Sequence, residues 1–298
     1  MSASESPVVS VIIATYNKSA TLRHAVHSVL WQTLTDFELL VVGDGCTDDS
    51  AEVVASFGDP RVRWVNLATN SGYQSAPTNA GLRLARGKYV AYLNHDDLWL
   101  PDHLRLLVEH IESSGTDAVY SILEWVLTYF DCYADIPHYP QAPIPPEASA
   151  VLHRRDIVDQ IGYWKGPHET WSVPRAEFFR RAQFAGRRWS LVPRLTVLKF
   201  GDSLKGYSSV GQQPEYMERI RSDPAFAEKE LALLLVRADA ELERPLRWVR
   251  LRRQVVQTVR RILVGWKIDP ARIFFWRRPG HFIRVWRNVR KLDQVQTH

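Results

Sequence analysis

Residues 88–102 read KYVAYLNHDDLWLPD, a short apolar run that ends in two adjacent acids. The run, residues 89–93, follows a glycine and is rich in β-forming residues, which predicts a buried strand. Asp96 and Asp97 stand at its carboxyl end, where their charges repel unless a hard divalent cation neutralises them. A helix N-cap is the alternative, but a cap needs only one Asp. Because ligands of open α/β sheets collect at the carboxyl ends of strands, the stretch favours a metal–phosphate site there.

Strands and helices alternate through the first third of the chain. Strands are predicted over residues 8–14, 37–42, 62–66 and 88–94, and helices from residue 22 and over 49–57, 76–85 and 101–113. This alternation predicts a parallel sheet with right-handed crossovers. The turns around Tyr16, Asp44 and Asp96 then share one edge, which suits a nucleotide with a metal on its phosphates. No GxGxxG follows the first strand and no GxxxxGK[ST] occurs, so neither a dinucleotide fold nor a P-loop is supported.

Composition narrows the class of protein. The 298 residues suffice for one large domain or a domain with an appendage. The two cysteines, Cys46 and Cys132, provide neither a disulfide framework nor metal-ligand spacing, which fits a reducing compartment. The N-terminus MSASESP lacks the features of a secretion signal, and no run of 18 apolar residues occurs. We therefore expect a cytoplasmic protein.

Several motifs follow one another in a fixed order: VSVIIATYN, the DGCTDDS turn at 44–50, NSG at 70–72, TNAGLRLARGKYVAYLNHDD at 78–97 and WLP at 99–101. Together they resemble the family 2 glycosyltransferases of the GT-A fold. The resemblance is close over about 8–102 and looser to about 200. It implies a GT-A domain over 1–222, with a nucleotide-sugar half at about 8–102 and an acceptor half at 103–222. A basic, Trp-rich helical appendage would occupy 223–298.

The resemblance implies an inverting transfer of a sugar from a nucleotide diphosphosugar, most often a UDP- or dTDP-sugar, to an acceptor hydroxyl. Asp96 would bind Mg²⁺ or Mn²⁺ on the diphosphate, and Asp97 would lie beside it as a second ligand near the donor sugar. The residues expected to contact the nucleotide are Thr15, Tyr16, Asn17, Asp44, Asn79, Asn94 and His95. Tyr16 could instead pack on the rim of the sheet, and Asp44 could instead close an Asx-turn.

Two positions depart from the family pattern. Asn94 replaces the first acid of the usual Asp-x-Asp, so metal affinity could be weaker or could depend on Asp96 and Asp97. Gly43 replaces the first acid of the usual Asp-Asp-Gly-Ser turn, while Asp44 keeps the second. These departures leave a catalytically silent sugar-nucleotide-binding subunit as an alternative, alongside a sugar-1-phosphate nucleotidyltransferase.

An inverting transfer needs a carboxylate to take the proton of the acceptor hydroxyl. In the family this base lies after a Gly-aromatic turn, here at residues 162–164, which makes Glu177 the first candidate and Glu169 the second. Glu177 falls on a predicted helix over 175–185, where an acid in the first turn also suits the helix dipole. A strand is predicted over 150–154, where His153 or Arg154 could face the donor phosphates or be a surface charge.

Two further segments leave alternatives open. Residues 120–146 are rich in aromatic residues and proline, which suits a long lid-like loop over a sugar site or an irregular surface segment. From Arg244 onward there are fifteen Lys or Arg against two Asp. The spacing of apolar residues in this region predicts a helix with an apolar stripe at residues 251, 255, 256, 259, 262, 263 and 266.

This basic helical region could pack on the catalytic domain or on a second subunit of a homo-oligomer. It could also lie on an anionic membrane at the inner face of the cell membrane, next to a lipid-linked acceptor. Nucleic-acid binding is the least favoured reading, because no recognised module accompanies the charge. The expected role is synthesis of a bacterial surface polysaccharide or glycolipid.

Overall fold

The computed structural model describes residues 6–127, 133–135, 145–201, 212–243, 255 and 258–274. Its strands are β1 Val9–Thr15, β2 Phe37–Gly43, β3 Val62–Asn66, β4 Tyr89–Asn94, β5 Leu98–Trp99, β6 Ala118–Leu127, β7 Tyr133–Asp135, β8 Val151–Arg154 and β9 Trp189–Gly201. Its helices are α1 Ser19–Leu30, α2 Ser50–Ala55, α3 Ser75–Leu84, α4 His103–Ser114, α5 Ile157–Ile161, α6 Pro174–Phe184, α7 Gln213–Ser222, α8 Phe226–Glu243, α9 at 258–265 and α10 Pro270–Phe274.

The strands form one mixed sheet in the order β3-β2-β1-β4-β8-β6-β9-β5, with β7 paired to β6. The first four strands are parallel, as the alternation predicted, because β1 pairs with both β2 and β4 and β2 pairs with β3. Beyond β4 the pairing changes, since β8 is antiparallel to both β4 and β6. The fold class is confirmed: an α/β sheet with flanking helices.

Helices cover both faces of the sheet. On one face, Leu22 and Val26 of α1 and Leu107 of α4 join a core of alternate residues from the central strands. On the other face, Phe178 and Phe179 of α6 pack with the opposite set of strand residues. Strands buried on both sides explain why the first strands read as almost continuous apolar runs.

The region predicted as a lid-like loop is in part a strand. Residues 118–127 form β6, which pairs with β9 along its whole length. Residues 133–135 form β7, which pairs with β6. The loop prediction is therefore wrong for 120–127 and 133–135; residues 128–132 and 136–144 lie outside the described residues, and there it stays a prediction.

Helices follow the sheet, as the sequence predicted. Phe226 and Leu234 of α8 pack with Phe200 of β9 and with α7, so the beginning of the proposed appendage is attached to the sheet. The boundary at residue 222 stays a prediction. Among the described residues, no helix has the length and apolarity needed to cross a membrane.

Candidate active site

The carboxyl ends of the parallel strands bring the sequence-predicted residues to one edge. The pairing aligns Thr15 of β1 with Gly43 of β2, and Ala14 of β1 with Asn94 of β4. The turns that follow these strands therefore begin side by side. Tyr16 is 46% exposed at this edge, whereas Thr15 is buried.

Asp44 is buried and closes the neighbouring turn at residues 70–72. Its two carboxylate oxygens accept from the Ser71 hydroxyl at 2.8 and 2.9 Å and from the Ser71 backbone N–H at 3.1 Å. Gly72 N–H and the Asn70 amide also donate to Oδ2, each at 3.2 Å. Burial raises the pKa of Asp44, although the hydrogen bonds from Ser71 and Gly72 lower it. The carboxylate thus shapes the turn next to Tyr16, and contact with a nucleotide base stays a prediction.

Asn17 joins the turn after β1 to the turn after β2. Its φ is 49°, in the left-handed region that Asn tolerates better than most residues. Its Oδ1 accepts from Thr47 N–H at 2.8 Å, and its Nδ2 donates to Thr47 Oγ1 at 3.2 Å. The amide of Asn17 is therefore engaged within the protein, where it fixes the relative position of the two turns.

The NHDD segment after β4 separates its two acids. Asp97 is fully buried and its Oδ2 accepts from Ser149 Oγ at 2.6 Å and Asn94 Nδ2 at 2.9 Å. Asp96 is half-buried and is the more accessible acid. Burial raises the pKa of Asp97 to about 6, against the lowering effect of Lys199.

Asn94 and His95 are fixed by neighbouring elements. The Gln74 amide donates to Asn94 Oδ1 at 3.1 Å, which links the beginning of α3 to the end of β4. His95 Nδ1 lies 3.3 Å from the Ala14 carbonyl oxygen, so its ring spans the ends of β4 and β1. Both residues hold the edge together, and their contact with a nucleotide stays a prediction.

Three charged residues beside the acids were not expected from the sequence. Lys199 Nζ of β9 lies 3.4 Å from Asp97 Oδ2 and 3.9 Å from Glu147 Oε2. Arg175 of α6 binds the other oxygen of Glu147 at 2.5 Å. A lysine inside the apolar run TVLKF was the available signal, because a lysine in a buried strand needs a charged partner.

The two candidate bases differ in how they are held. Arg181 donates to both oxygens of Glu177 at 2.9 Å, and Lys165 Nζ lies 3.9 Å from one of them. Glu169 is exposed, and its Oε2 accepts from Gly166 N–H at 2.8 Å. The carboxylate of Glu169 is thus the less encumbered of the two.

Asn79 and His153 have roles within the protein. Asn79 Nδ2 donates to the Trp164 carbonyl at 2.8 Å and its Oδ1 accepts from Trp164 N–H at 3.0 Å, which docks the segment before Glu169 on α3. His153 is buried, with Nε2 at 2.8 Å from the Tyr92 hydroxyl and Nδ1 at 2.7 Å from the Arg154 carbonyl. His153 is therefore a core residue and not a surface charge.

The residues at the NHDD segment fit a hard divalent cation. Asp96 and Asp97 offer carboxylate oxygens, and Asp97 Oδ1 is a buried acceptor without a hydrogen-bond partner in the described chain. Within the described ranges, no group of three His, Cys, Asp or Glu side chains is arranged to hold a metal by itself. Mg²⁺ commonly takes one or two carboxylates and completes its shell with phosphate and water, which matches what Asp96 and Asp97 offer.

Comparison with known proteins agrees with this fold. Residues 10–136 match the family described as Glycosyl transferase family 2. The succinoglycan biosynthesis protein ExoO of Rhizobium meliloti (strain 1021) is 34% identical over 166 residues, 53% of this chain and 47% of ExoO. The uncharacterized glycosyltransferase EpsJ of Bacillus subtilis (strain 168) is 32% identical over 187 residues, 59% of this chain and 50% of EpsJ. The chain spans about half the length of these relatives.

A solved structure supports the fold. The crystal structure of S. aureus TarS 1-349 in complex with UDP-GlcNAc matches with a TM-score of 0.59 and 20% identity, over 76% of this chain and 71% of that chain. The shared fold includes the mixed sheet and its flanking helices.

Proposed function

We propose that the protein transfers a sugar, with inversion, from a UDP- or dTDP-sugar to an acceptor hydroxyl in the synthesis of a bacterial surface polysaccharide or glycolipid. The observation that carries the proposal is the placement of Tyr16, Asp44 and Asp96 at one sheet edge in a family 2 domain. The succinoglycan relative and the UDP-GlcNAc complex of TarS support the polysaccharide context and the uridine nucleotide.

In this proposal the exposed ring of Tyr16 stacks on the base, and the turn held by Asp44 closes beside it. Asp96, with Asp97 Oδ1, would hold Mg²⁺ or Mn²⁺, which supplies positive charge to the diphosphate. Asp97 is kept in place by Ser149 and Asn94.

Glu169 is the proposed base. Its carboxylate makes one backbone hydrogen bond, whereas both oxygens of Glu177 are bound by Arg181. The segment before Glu169 is docked on Asn79 of α3, and Gln74 at the beginning of that helix touches Asn94. Five helical residues correspond to about 7.5 Å along the axis of α3, which supports the proposal that this segment lies towards Asp96 and Asp97, the acidic edge of the sheet.

Nucleotide binding provides the first test. We expect UDP or dTDP, but not GDP, to raise the melting temperature in the presence of Mn²⁺, because a ligand selective for the native state stabilises it. The effect should disappear without metal and in Asp96→Ala. The exposed Asp159 of α5 provides the control, since Asp159→Ala removes an acid away from this edge. Stabilisation that persists in Asp96→Ala would contradict the metal assignment.

Turnover distinguishes the enzyme classes. The proposed transferase releases nucleoside diphosphate from a nucleotide-sugar, whereas a nucleotidyltransferase releases pyrophosphate from a nucleoside triphosphate and a sugar phosphate. A protein that binds nucleotide but releases none from a panel of UDP- and dTDP-sugars with suitable acceptors would be a silent binding subunit.

We further propose that α9 attaches the protein to an anionic membrane. Of the stripe predicted from the sequence, Leu263 is buried, four other residues are exposed, and residues 251 and 256 lie outside the described residues. These are Val255, Val259, Ile262 and Trp266, which are 54%, 40%, 46% and 71% exposed. Their spacing of four, three and four residues places them along one helical stripe.

The charged residues near this stripe indicate what kind of surface it binds. Residues 258–274 contain four Lys or Arg and one Asp, and Arg261, Lys267 and Arg272 are exposed. A protein partner could cover the apolar stripe without any need for the cations beside it. An apolar stripe that has cations nearby and a Trp at its end suits the headgroup region of an anionic membrane. Membrane attachment would also bring the site to a lipid-linked acceptor.

Vesicle sedimentation tests this attachment with the full chain. We expect binding to phosphatidylcholine vesicles that contain phosphatidylglycerol, little binding to pure phosphatidylcholine, and a loss of at least about fivefold in the double variant Ile262→Ser/Trp266→Ser. Tyr163→Ser removes an exposed aromatic residue elsewhere and should bind like the parent. Unchanged binding of the double variant would refute the proposal, as would a stripe that instead mediates dimer formation.

A further inference from the structure

Lys199 is a largely buried cation beside Asp97. Its side chain is 12% exposed, and its ammonium lies 3.4 Å from Asp97, 3.9 Å from Glu147 and 5.0 Å from the centre of the Trp125 ring. Burial alone would lower the pKa of Lys199, but Asp97, Glu147 and Asp96 together raise it to about 12. The lysine therefore stays charged at any physiological pH.

The two carboxylates next to Lys199 differ in their other partners. Arg175 binds Glu147 at 2.5 Å and also donates to the Pro146 carbonyl at 2.6 Å, so Glu147 already has a close partner. Lys199 is then the nearest cation to Asp97, and Asp96 also acts on it. Asp97 uses Oδ2 for Lys199 and Ser149, while its Oδ1 stays without a hydrogen-bond partner in the described chain.

We propose that Lys199 is a resident cation of the donor site: it occupies the Oδ2 side of Asp97, leaves Oδ1 and Asp96 to a single divalent ion, and adds its own positive charge to the diphosphate. This inference rests on the proposed function, because it assigns the diphosphate to the same edge. A lysine placed there has two opposite effects. It repels a divalent cation and attracts a diphosphate.

These opposite signs separate the proposal from a packing role. Lys199→Met keeps most of the aliphatic stem but removes the charge, so the acidic edge becomes more negative. We expect the variant to bind Mn²⁺ about tenfold more tightly, measured from free Mn²⁺ by electron paramagnetic resonance without nucleotide. We expect binding of UDP at saturating Mn²⁺, measured by calorimetry, to weaken by about tenfold.

Controls cover charge and folding. Lys199→Arg keeps the charge and should stay within about threefold of the parent for both ligands. Lys229→Met removes an exposed lysine that is paired with Asp223 on the surface, and it should change neither affinity. If Lys199→Met does not fold, Lys199→Gln carries the same test, because its amide can still donate to Asp97.

The outcomes are distinguishable. Loss of both affinities, or no change in either, would show that Lys199 only supports packing and would overturn the inference. A parent protein that binds neither UDP nor dTDP under any condition would overturn the proposed function and the diphosphate part of this inference. In that case the Mn²⁺ measurement would still decide whether Lys199 opposes a divalent ion at Asp96.

Discussion

Glu169 and Glu177 show how the surroundings of a carboxylate decide what it can do. Both follow the Gly-aromatic turn and both are acids close to a helix start. Their positions in the sequence therefore do not show which of them is the better candidate for the base. The structure separates them by their partners: Arg181 holds Glu177 with two hydrogen bonds, and Gly166 N–H holds Glu169 with one. A general base needs a carboxylate oxygen free to reach the acceptor hydroxyl, which favours Glu169.

Paired amide variants test this ranking. Glu169→Gln should lower kcat by about 10²-fold or more, because general-base catalysis typically contributes that much, while the melting temperature changes little. Glu177→Gln should instead lower stability by up to about 1 kcal/mol, since it removes a partly exposed ion pair with Arg181, and should keep most of the activity. Measurements of kcat and of thermal unfolding on both variants decide between them. The reverse pattern would return the role of base to Glu177.

At the scale of elements, β1 to β4, β8 and α6 were predictable from the sequence, but the pairing of β6 with β9 was not. Strands β1 to β4 are buried on both faces and alternate with helices, so local periodicity defines them. The pairing of β6 with β9 joins residues about seventy positions apart, and local patterns carry no information on such pairing. Pro193 lies inside β9, and the register shifts where Ser121 pairs with Val192 and Ile122 with Leu195. A proline in a strand is tolerated at such an irregularity, but in the sequence it argues against a strand.

The candidate site likewise has a part that was predictable from the sequence and a part that was not. Tyr16, Asp44 and Asp96 were predictable because each follows a strand whose end is visible in the sequence. Lys199 and Glu147 were not, since they reach the acids only through β9 and through the segment before β8. The part of the site that comes from distant segments is therefore the part that the three-dimensional fold alone supplies.

At the scale of the whole molecule, two buried histidines, one on each face of the sheet, make the stability of the fold depend on pH. His103 is the first residue of α4 and stacks on Trp99 with ring centres 4.2 Å apart, while His153 lies among Tyr92 and Phe178 on the other face. Burial lowers the pKa of His103 to about 3 and the pKa of His153 to about 4. Both histidines are therefore neutral in the folded protein at pH 5, whereas the unfolded chain protonates them below about 6.5.

The sign of the pH dependence follows from proton uptake. Between about pH 4 and 6.5 the unfolded chain binds more protons at these two sites, so their contribution to stability is complete above pH 6.5 and is lost as the pH falls. At pH 5 each histidine should lower the free energy of unfolding by about 2 kcal/mol relative to neutral pH. Asp44 and Asp97 act with the opposite sign, because burial raises their pKa values in the folded protein.

The contribution of one histidine can be measured by comparing the denaturant unfolding of the parent and of a histidine variant between pH 7.5 and pH 5. His153→Gln removes one buried titrating group, so the number of protons taken up on unfolding at pH 5 should fall by about one relative to the parent. His168→Gln replaces an exposed histidine instead of a buried one and, as the control, should leave that number unchanged. Equal proton uptake by the parent and His153→Gln would mean that His153 is already protonated in the folded protein. The buried arrangement with the Tyr92 hydroxyl and the Arg154 carbonyl would then not describe its state in solution.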